Sequence, residues 1–323
     1  MSKKILGMGN AVLDILTKVE DNFIISNNLQ RGAMQIVTEE ESEAALKKIE
    51  IIKSDSGGSV ANTIAAIAML GGHSNFCGKV KEDKLGIEFE NKMEEAGSSF
   101  LCKKSMDGLP TARCIVFVTS DGERTMQTFL GASTTLSEND LEKAFFDDTD
   151  YLLIEGYLWS SETARKAIKK AIRFCNDNNI KVVFSLSDKT LVGAFKKDFI
   201  EFISENVAIL IGNEGEFLEL CDANIASLEK LPNNFNLELA IITKGKEGAL
   251  VINKKEDFHI DSYYVENVVD TTGAGDMFAA GFLYKLTNGS PAEESARFGC
   301  KLASLIIQQY GARLEQKALK KII

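Results

Sequence analysis

The chain has 323 residues, 45% hydrophobic and 26% charged, which is an ordinary globular composition with enough chain for a large core in one or two domains. Its net charge of -10, from 37 basic and 47 acidic residues, argues against nucleic acid or an anionic membrane as the main partner. It leaves room for a small polyanion such as ATP, because a local nest of N–H groups and a few lysines can outweigh the net charge.

Six scattered cysteines (77, 102, 114, 175, 221 and 300) form no Cys-x-x-Cys pair, and they read as buried free thiols in a reducing compartment. The N-terminal stretch lacks an apolar signal core, and no apolar run approaches the ~20 residues that span a bilayer. The expectation is a cytoplasmic protein.

In chain order, Ile5 to Asp14 reads as one apolar strand running into a glycine turn. Gly7-x-Gly9 suggests a dinucleotide fingerprint, but Val12 stands in place of its third glycine and no helix follows directly. Residues 15–38 read as irregular chain and short strands. Glu39 to Ile52 has helical spacing. The paired glycines Gly57-Gly58 then open a helix of small residues, Ser59 to Leu70, which Gly71-Gly72 closes. Asn75 to Val80 is a predicted strand and Asp83 to Ala96 a predicted helix. Thr111–Thr119 and Arg124–Phe129 flank Asp121-Gly122, a strong hairpin signal that breaks the β-α rhythm and predicts a separate small sheet. The alternation resumes with strands at 151–154, 180–185, 207–211, 239–243, 248–253 and 263–269. Helices are predicted at 161–178, 195–205, 214–221, 277–286 and 291–309. Strands such as Val207-Ala-Ile-Leu-Ile211 are apolar throughout, which predicts a parallel sheet covered on both faces. With three prolines and no Ser/Gly-rich tract, one domain over 1–323 with a lid formed within about 15–38 and 110–130 fits best.

Three loops lie at the predicted C-terminal ends of strands, where open α/β sheets bind ligands. In Asp270-Thr-Thr-Gly273-Ala274-Gly275-Asp276, small residues let a ligand approach the backbone, and the following helix start offers free N–H groups to an anion. Asn213 and Glu216 lie one helical turn apart, and either face Mg²⁺ or its water shell or form an N-cap with an acidic first turn. Thr243-Lys244-Gly245 is either a phosphate contact or a plain turn. No Walker A loop is present. Only His73 and His259 occur, and they read as structural, so neither a protein-kinase catalytic loop nor a Ser-His-Asp hydrolase fits.

Asp270 to Phe282 resembles the second signature of the ribokinase (PfkB) family of small-molecule kinases. Gly57-Gly58-Ser-Val-Ala-Asn62, with Leu70-Gly71-Gly72 and Gly78 to Gly86, resembles the first. Asn213-x-x-Glu216 and Thr243-Lys244-Gly245 match the family's Mg/phosphate and nucleotide motifs, so the resemblance runs through nearly the whole chain. It implies a ribokinase-like three-layer α/β/α core with a mostly parallel central sheet and a small β-sheet lid. It implies Asp276 as general base, with the N–H groups of Gly273, Ala274 and Gly275 holding the phosphoryl oxygens. Asp14, Gly58 and Asn62 become acceptor contacts, while Arg124 either folds onto the substrate or pairs with Glu123 or solvent. Asn213, Thr243, Lys244 and Gly245 become ATP contacts. Glu216 and Asn213 would position Mg²⁺ through water, and Asp270 is a candidate K⁺ ligand. For Asp14 alone, turn capping is the competing reading.

The hairpin 121–132 and Glu155-Gly-Tyr157-Leu-Trp159 resemble bacterial adenosine-kinase-like members. Phe129, Tyr157 and Trp159 there either stack on a purine or fill the core. The expected activity is ATP-dependent phosphorylation of a nucleoside or sugar primary hydroxyl, adenosine first. The alternatives are a ribose, fructose or ketodeoxy-sugar kinase, and a silent nucleotide-binding homologue. Monomer and homodimer both remain open.

Overall fold

The computed structural model describes residues 2–221, 230–319 and 322. Among them the strands are β1 (Lys4–Met8), β2 (Val12–Lys18), β3 (Met34–Ile36), β4 (Lys53–Gly57), β5 (His73–Cys77), β6 (Ser99–Phe100), β7 (Ala112–Val118), β8 (Arg124–Phe129), β9 (Tyr151–Glu155), β10 (Lys181–Ser185), β11 (Ile209–Asn213), β12 (Leu239–Thr243), β13 (Ala249–Ile252) and β14 (Asp257–Ile260). The larger sheet has the order β14-β13-β12-β11-β10-β9-β1-β5-β6. It is parallel from β12 to β6 and antiparallel at the β12-β13-β14 edge. Every residue of β9 is buried, and only Asn213 of β11 is exposed, as expected of strands covered on both faces. The chain is a ribokinase-like α/β fold with this mostly parallel sheet and a smaller second one. No helix among the described residues is long and apolar enough to cross a membrane.

Two features position the site. First, β5 and β9 lie on opposite sides of β1, so the loops after β1 and β9 part and leave a crevice at the carboxyl ends of the strands. Second, the helix Ser59–Met69 packs against the helix Ala274–Thr287. Ala61, Ala65, Ala66 and Ala280 on these two helices are fully buried. Thr63 Oγ1 fixes the register of the pair by donating to the Asp276 carbonyl at 3.2 Å.

The second sheet has the order β3-β8-β7-β2-β4. Side chains alternate across it. Ile115 and Phe117 face a small core closed by Phe23 and Ile24 of the helix Asp21–Ser26. Val12, Asp14, Leu16, Cys114, Val116 and Arg124 face a cavity on the other side. The hairpin between β7 and β8 forms as predicted, with Gly122 at φ +87° and its N–H on the Thr119 carbonyl at 2.8 Å.

The structure corrects four expectations. Ile5–Asp14 is not one strand: the chain leaves the large sheet after Met8 and enters the small sheet at Val12. Both pieces are apolar, so hydropathy does not show the break. The helix predicted to run to Ile52 stops at Leu46, and Lys53–Gly57 follows as an edge strand of the small sheet. The smaller sheet therefore takes in 53–57 as well as strands from the two predicted segments. Tyr263–Val269 forms no strand, and Tyr264 is 90% exposed, so its β-branched and aromatic composition misleads where no partner strand exists. Five of the six cysteines, Cys77, Cys102, Cys114, Cys175 and Cys300, are buried.

Candidate active site

A cavity of ≈ 890 Å³ lies between the small sheet and the carboxyl edge of the large one. It is lined by Asp14, Gly58, Asn62, Arg124, Asn213, Glu216, Gly273, Ala274, Gly275 and Asp276, among others, so ten of the predicted site residues meet in one space. Ser59, Asn213, Glu216, Gly275 and Asp276 also line a smaller recess together with Thr243.

Asp276 stands in the first turn of Ala274–Thr287. Ser59 and Asn62, one turn apart on the facing helix, both point at it. Ser59 Oγ donates to Oδ1 at 2.7 Å, and Asn62 Nδ2 donates to Oδ2 at 2.9 Å. Burial raises its pKa to about 6, against the lowering effect of these two donors and of Arg313. A carboxylate held this way is ionised at neutral pH, and its proton affinity is closer to that of a useful base than an exposed aspartate's. We expect kcat to fall tenfold per pH unit below about 6, because the base must be deprotonated, and a pH–rate profile measures this.

Gly273 caps this helix in the left-handed region at φ +76°. The Ala274 N–H turns back onto the Thr271 carbonyl at 3.1 Å. Of the three N–H groups predicted to hold an anion, Ala274's thus has an internal partner. The first turn of the helix supplies the N–H groups of Gly275 and Asp276 instead.

On the acceptor side, Gly58 caps Ser59–Met69 at φ +98°, and a Cβ there would stand 2.2 Å from the Asn10 carbonyl oxygen. Asp14 is held at about 7, chiefly by burial, with Asp55 and Asp276 adding to the rise and Arg313 opposing it. Arg124 Nη1 pairs with Asp270 at 2.6 Å, while its buried Nε and Nη2 have no hydrogen-bond partner. Asp270 also accepts from Thr272 N–H at 3.0 Å and Gly311 N–H at 3.1 Å. The structure therefore gives the candidate K⁺ ligand an arginine and two amides, which already satisfy its charge.

On the nucleotide side, Asn213 and Glu216 form a reciprocal capping box: Asn213 Oδ1 accepts from Glu216 N–H, and Glu216 accepts from Asn213 N–H, both at 2.9 Å. Asn213 Nδ2 also donates to Glu216 Oε1 at 2.6 Å. The N-cap alternative is thus what the geometry shows, and within it Glu216 lines the recess beside Asp276. Burial raises Glu216 to about 7. Thr243 lines the recess, but Lys244 does not. Its ammonium lies 3.1 Å from Glu214, and Gly245 lies outside the cavity too.

Sequence reasoning missed several groups. Glu155, at the end of β9, is fully buried and accepts from Asn10 N–H at 2.8 Å and Val60 N–H at 3.0 Å, which ties the β1 loop to the Ser59–Met69 helix. Burial lifts it to about 7. Its run was read for aromatics rather than for this carboxylate. Ser59 lay in a quoted motif, at i−3 from Asn62. Arg313 gave no signal: it sits 251 positions from the Asn62 amide it contacts. Of the three stacking candidates, only Tyr157 lines the cavity. Trp159 packs edge-on against Phe184, Phe199 and Phe202 with centroids 4.7–5.4 Å away, and Phe129 lies under Arg113 at 5.0 Å.

Residues 32–318 match the pfkB family carbohydrate kinases. The structure resembles the adenosine kinase from Sinorhizobium meliloti, at 34% identity and a TM-score of 0.88, covering 100% of both chains. In sequence the chain is 26% identical to a 5-dehydro-2-deoxygluconokinase of Geobacillus kaustophilus over 79% of each protein. It is also 26% identical to the adenosine kinase of Saccharomyces cerevisiae over 96% of each. A carboxylate at a helix start, beside open backbone donors and a two-sided cavity, is what phosphoryl transfer to a hydroxyl needs, and the chain belongs to the PfkB family of carbohydrate kinases, which phosphorylate alcohol groups with ATP.

Proposed function

We propose that this kinase phosphorylates the primary hydroxyl of a nucleoside, adenosine giving AMP. The observation that carries this reading is the two-sided cavity. One part of its lining is polar, with Asn10, Asp14, Asp55 and Asn62. The rest of the small-sheet face that bears Asp14 is largely apolar, with Leu16, Met34, Ile36, Val116 and Met126. A nucleoside has a ribose for the polar part and a flat, weakly hydrated base for the apolar part. A free sugar carries hydroxyls all round and leaves Met34 and Ile36, 52% and 66% exposed, without an apolar partner. The adenosine kinase of Sinorhizobium meliloti supports the same reading.

In this scheme Asp276 takes the hydroxyl proton as the oxygen attacks the γ-phosphorus and the bond to the ADP oxygen breaks. The N–H groups at the start of Ala274–Thr287 stabilise the charge on the transferring group. Asp14 accepts from ribose hydroxyls. The oxygen-rich recess of Asn213, Glu216 and Thr243 suits Mg²⁺ held through water, and among the described residues no cluster of three or more acidic, His or Cys side chains would hold a metal unaided. When bound, the ion neutralises phosphate charge.

A sugar-acid acceptor is the second reading, favoured by the two unpartnered nitrogens of Arg124, Nε and Nη2, and by the resemblance to 5-dehydro-2-deoxygluconokinase. Measuring ADP release with adenosine, ribose, fructose and 5-dehydro-2-deoxygluconate separates the two. Adenosine should exceed each of the others in kcat/KM by about tenfold or more, the scale of one unmatched polar or apolar subsite. A free sugar or sugar acid as the best acceptor would sink the nucleoside reading.

A further inference from the structure

We infer that Arg313 is a positioning residue for the base: it orients the Asn62 amide against Asp276 and sets the charge that Asp276 feels. The inference rests on Asp276 being the base. Arg313 follows the last long helix, is 6% exposed, and donates in three directions. Nε reaches Asn62 Oδ1 at 3.0 Å, Nη1 reaches Ser56 Oγ at 2.5 Å, and Nη2 reaches the Ala61 carbonyl at 3.1 Å. Its nearest carboxylate, Asp55, is 3.8 Å away.

Three arguments give this arrangement a role beyond packing. First, an amide has one accepting and one donating side. With Oδ1 held by Arg313, Asn62 has only Nδ2 left for Asp276. A flipped amide would set its oxygen against the carboxylate and lose the arginine as well. Second, Arg313 is the cation that acts on Asp276. Asp276 is also faced by Asp14 of β2, Glu155 of β9 and Tyr157 beyond it, while Asp55 of β4 faces Arg313. Apart from the neutral donors Ser59 and Asn62, every other group in that list is an acid, so Arg313 offsets a site that otherwise favours the protonated base. Third, a buried arginine whose one ion pair, with Asp55, is as long as 3.8 Å is poor stability design, since an apolar side chain of similar size would serve the core as well. The same segment touches the catalytic loop twice more, through Gly311 N–H on Asp270 and through Ala312 against Gly273.

The test compares R313Q, R313K and wild type by steady-state kinetics from pH 5 to 9. R313Q, a neutral residue that still donates, should lower kcat by about tenfold or more and move the acid limb of kcat/KM up by about half a pH unit or more, with KM for ATP within about twofold. R313K keeps the charge and much of the buried volume, and should return the limb to within about 0.3 pH unit of wild type. Its kcat should stay about threefold or more below wild type, because one ammonium cannot hold both Asn62 and Ser56 in the guanidinium's geometry. A purely structural role predicts lost activity with an unmoved limb in R313Q. That result, or wild-type kinetics in both variants, overturns the inference. Should R313Q fail to fold, R313K decides: wild-type kcat there refutes the amide-fixing role. D276N run alongside separates the two layers. Turnover retained in D276N removes the base itself, whereas a silent D276N with normal R313 variants removes only Arg313's role.

Discussion

Asp276→Asn should lower turnover by ~10²-fold or more while leaving acceptor affinity largely intact, the scale expected when a general base is lost. The geometry makes this a clean substitution. Asparagine's oxygen still accepts from Asn62 Nδ2, and its amide can donate to Ser59 Oγ, a hydroxyl that also accepts. Ser59 Oγ and Asn62 Nδ2 therefore each keep a partner at position 276, so lost turnover reports the missing base rather than a damaged site. The same change should raise thermal stability. The Asp276 pKa lies above its ordinary value, about 6 against 3.8, so the native state holds its proton more tightly than the unfolded chain. Its favourable contribution is fully present below pH 3.8 and is lost as pH rises through 6. Above that, the ionised group costs on the order of 2–3 kcal/mol, which a neutral asparagine avoids. Calorimetry at pH 8 should show D276N melting a few degrees above wild type, with the gap closing by about pH 4. Turnover within about threefold of wild type would refute the assigned role.

Asp14, Glu155 and Glu216 are also raised, each to about 7 and each chiefly by burial. Four carboxyl groups with raised proton affinity around one cavity form a site kept against the preference of the fold, the pattern expected where function sets the charge.

The parts of this site that were legible in the sequence share a physical basis. Gly57-Gly58 and Gly273 to Gly275 are local signals, because a left-handed cap or an open backbone needs a small residue at that position whatever lies elsewhere. Asp121-Gly122 was legible for the same reason. The parallel sheet showed in its continuous apolar strands. What remained hidden depends on partners distant in sequence. Gly9 to Ala11 mark the change of sheet, but β1 and β2 are equally apolar. Asp270 reads in the sequence only as a candidate K⁺ ligand because its partner Arg124 lies 146 positions earlier, on the small sheet. Trp159 read equally as a stacking residue or a core one, since only the fold brings Phe184, Phe199 and Phe202 around it. Arg313 belongs to the same class: nothing in Gly311-Ala312-Arg313 specifies Asn62.

A matched pair of glycine substitutions separates the loop's two functions. Gly273 has φ +76°, and a Cβ there would stand 2.7 Å from the Ala312 Cα and carbonyl oxygen, which are backbone atoms that cannot swing away. Gly273→Ala should therefore destabilise the protein by roughly 1–3 kcal/mol, from left-handed strain and the contact together, and lower turnover as the loop and the Arg313 segment shift. Gly275 differs. Its added Cβ meets nothing within 4 Å, and it lies in the helix, where alanine is favoured by about 1 kcal/mol over glycine. Gly275→Ala should leave the melting temperature unchanged or slightly raised. Yet the open space beside it is shared with Asp276 and the Asn213–Glu216 recess, and the proposed scheme seats the transferring phosphoryl group there. A methyl group there should reduce kcat by about tenfold or more, the loss typical of one displaced oxyanion contact. Melting curves and single-turnover rates on the two variants give opposite signatures: both quantities fall in Gly273→Ala, and only the rate falls in Gly275→Ala. Normal turnover in Gly275→Ala would place the phosphoryl group elsewhere.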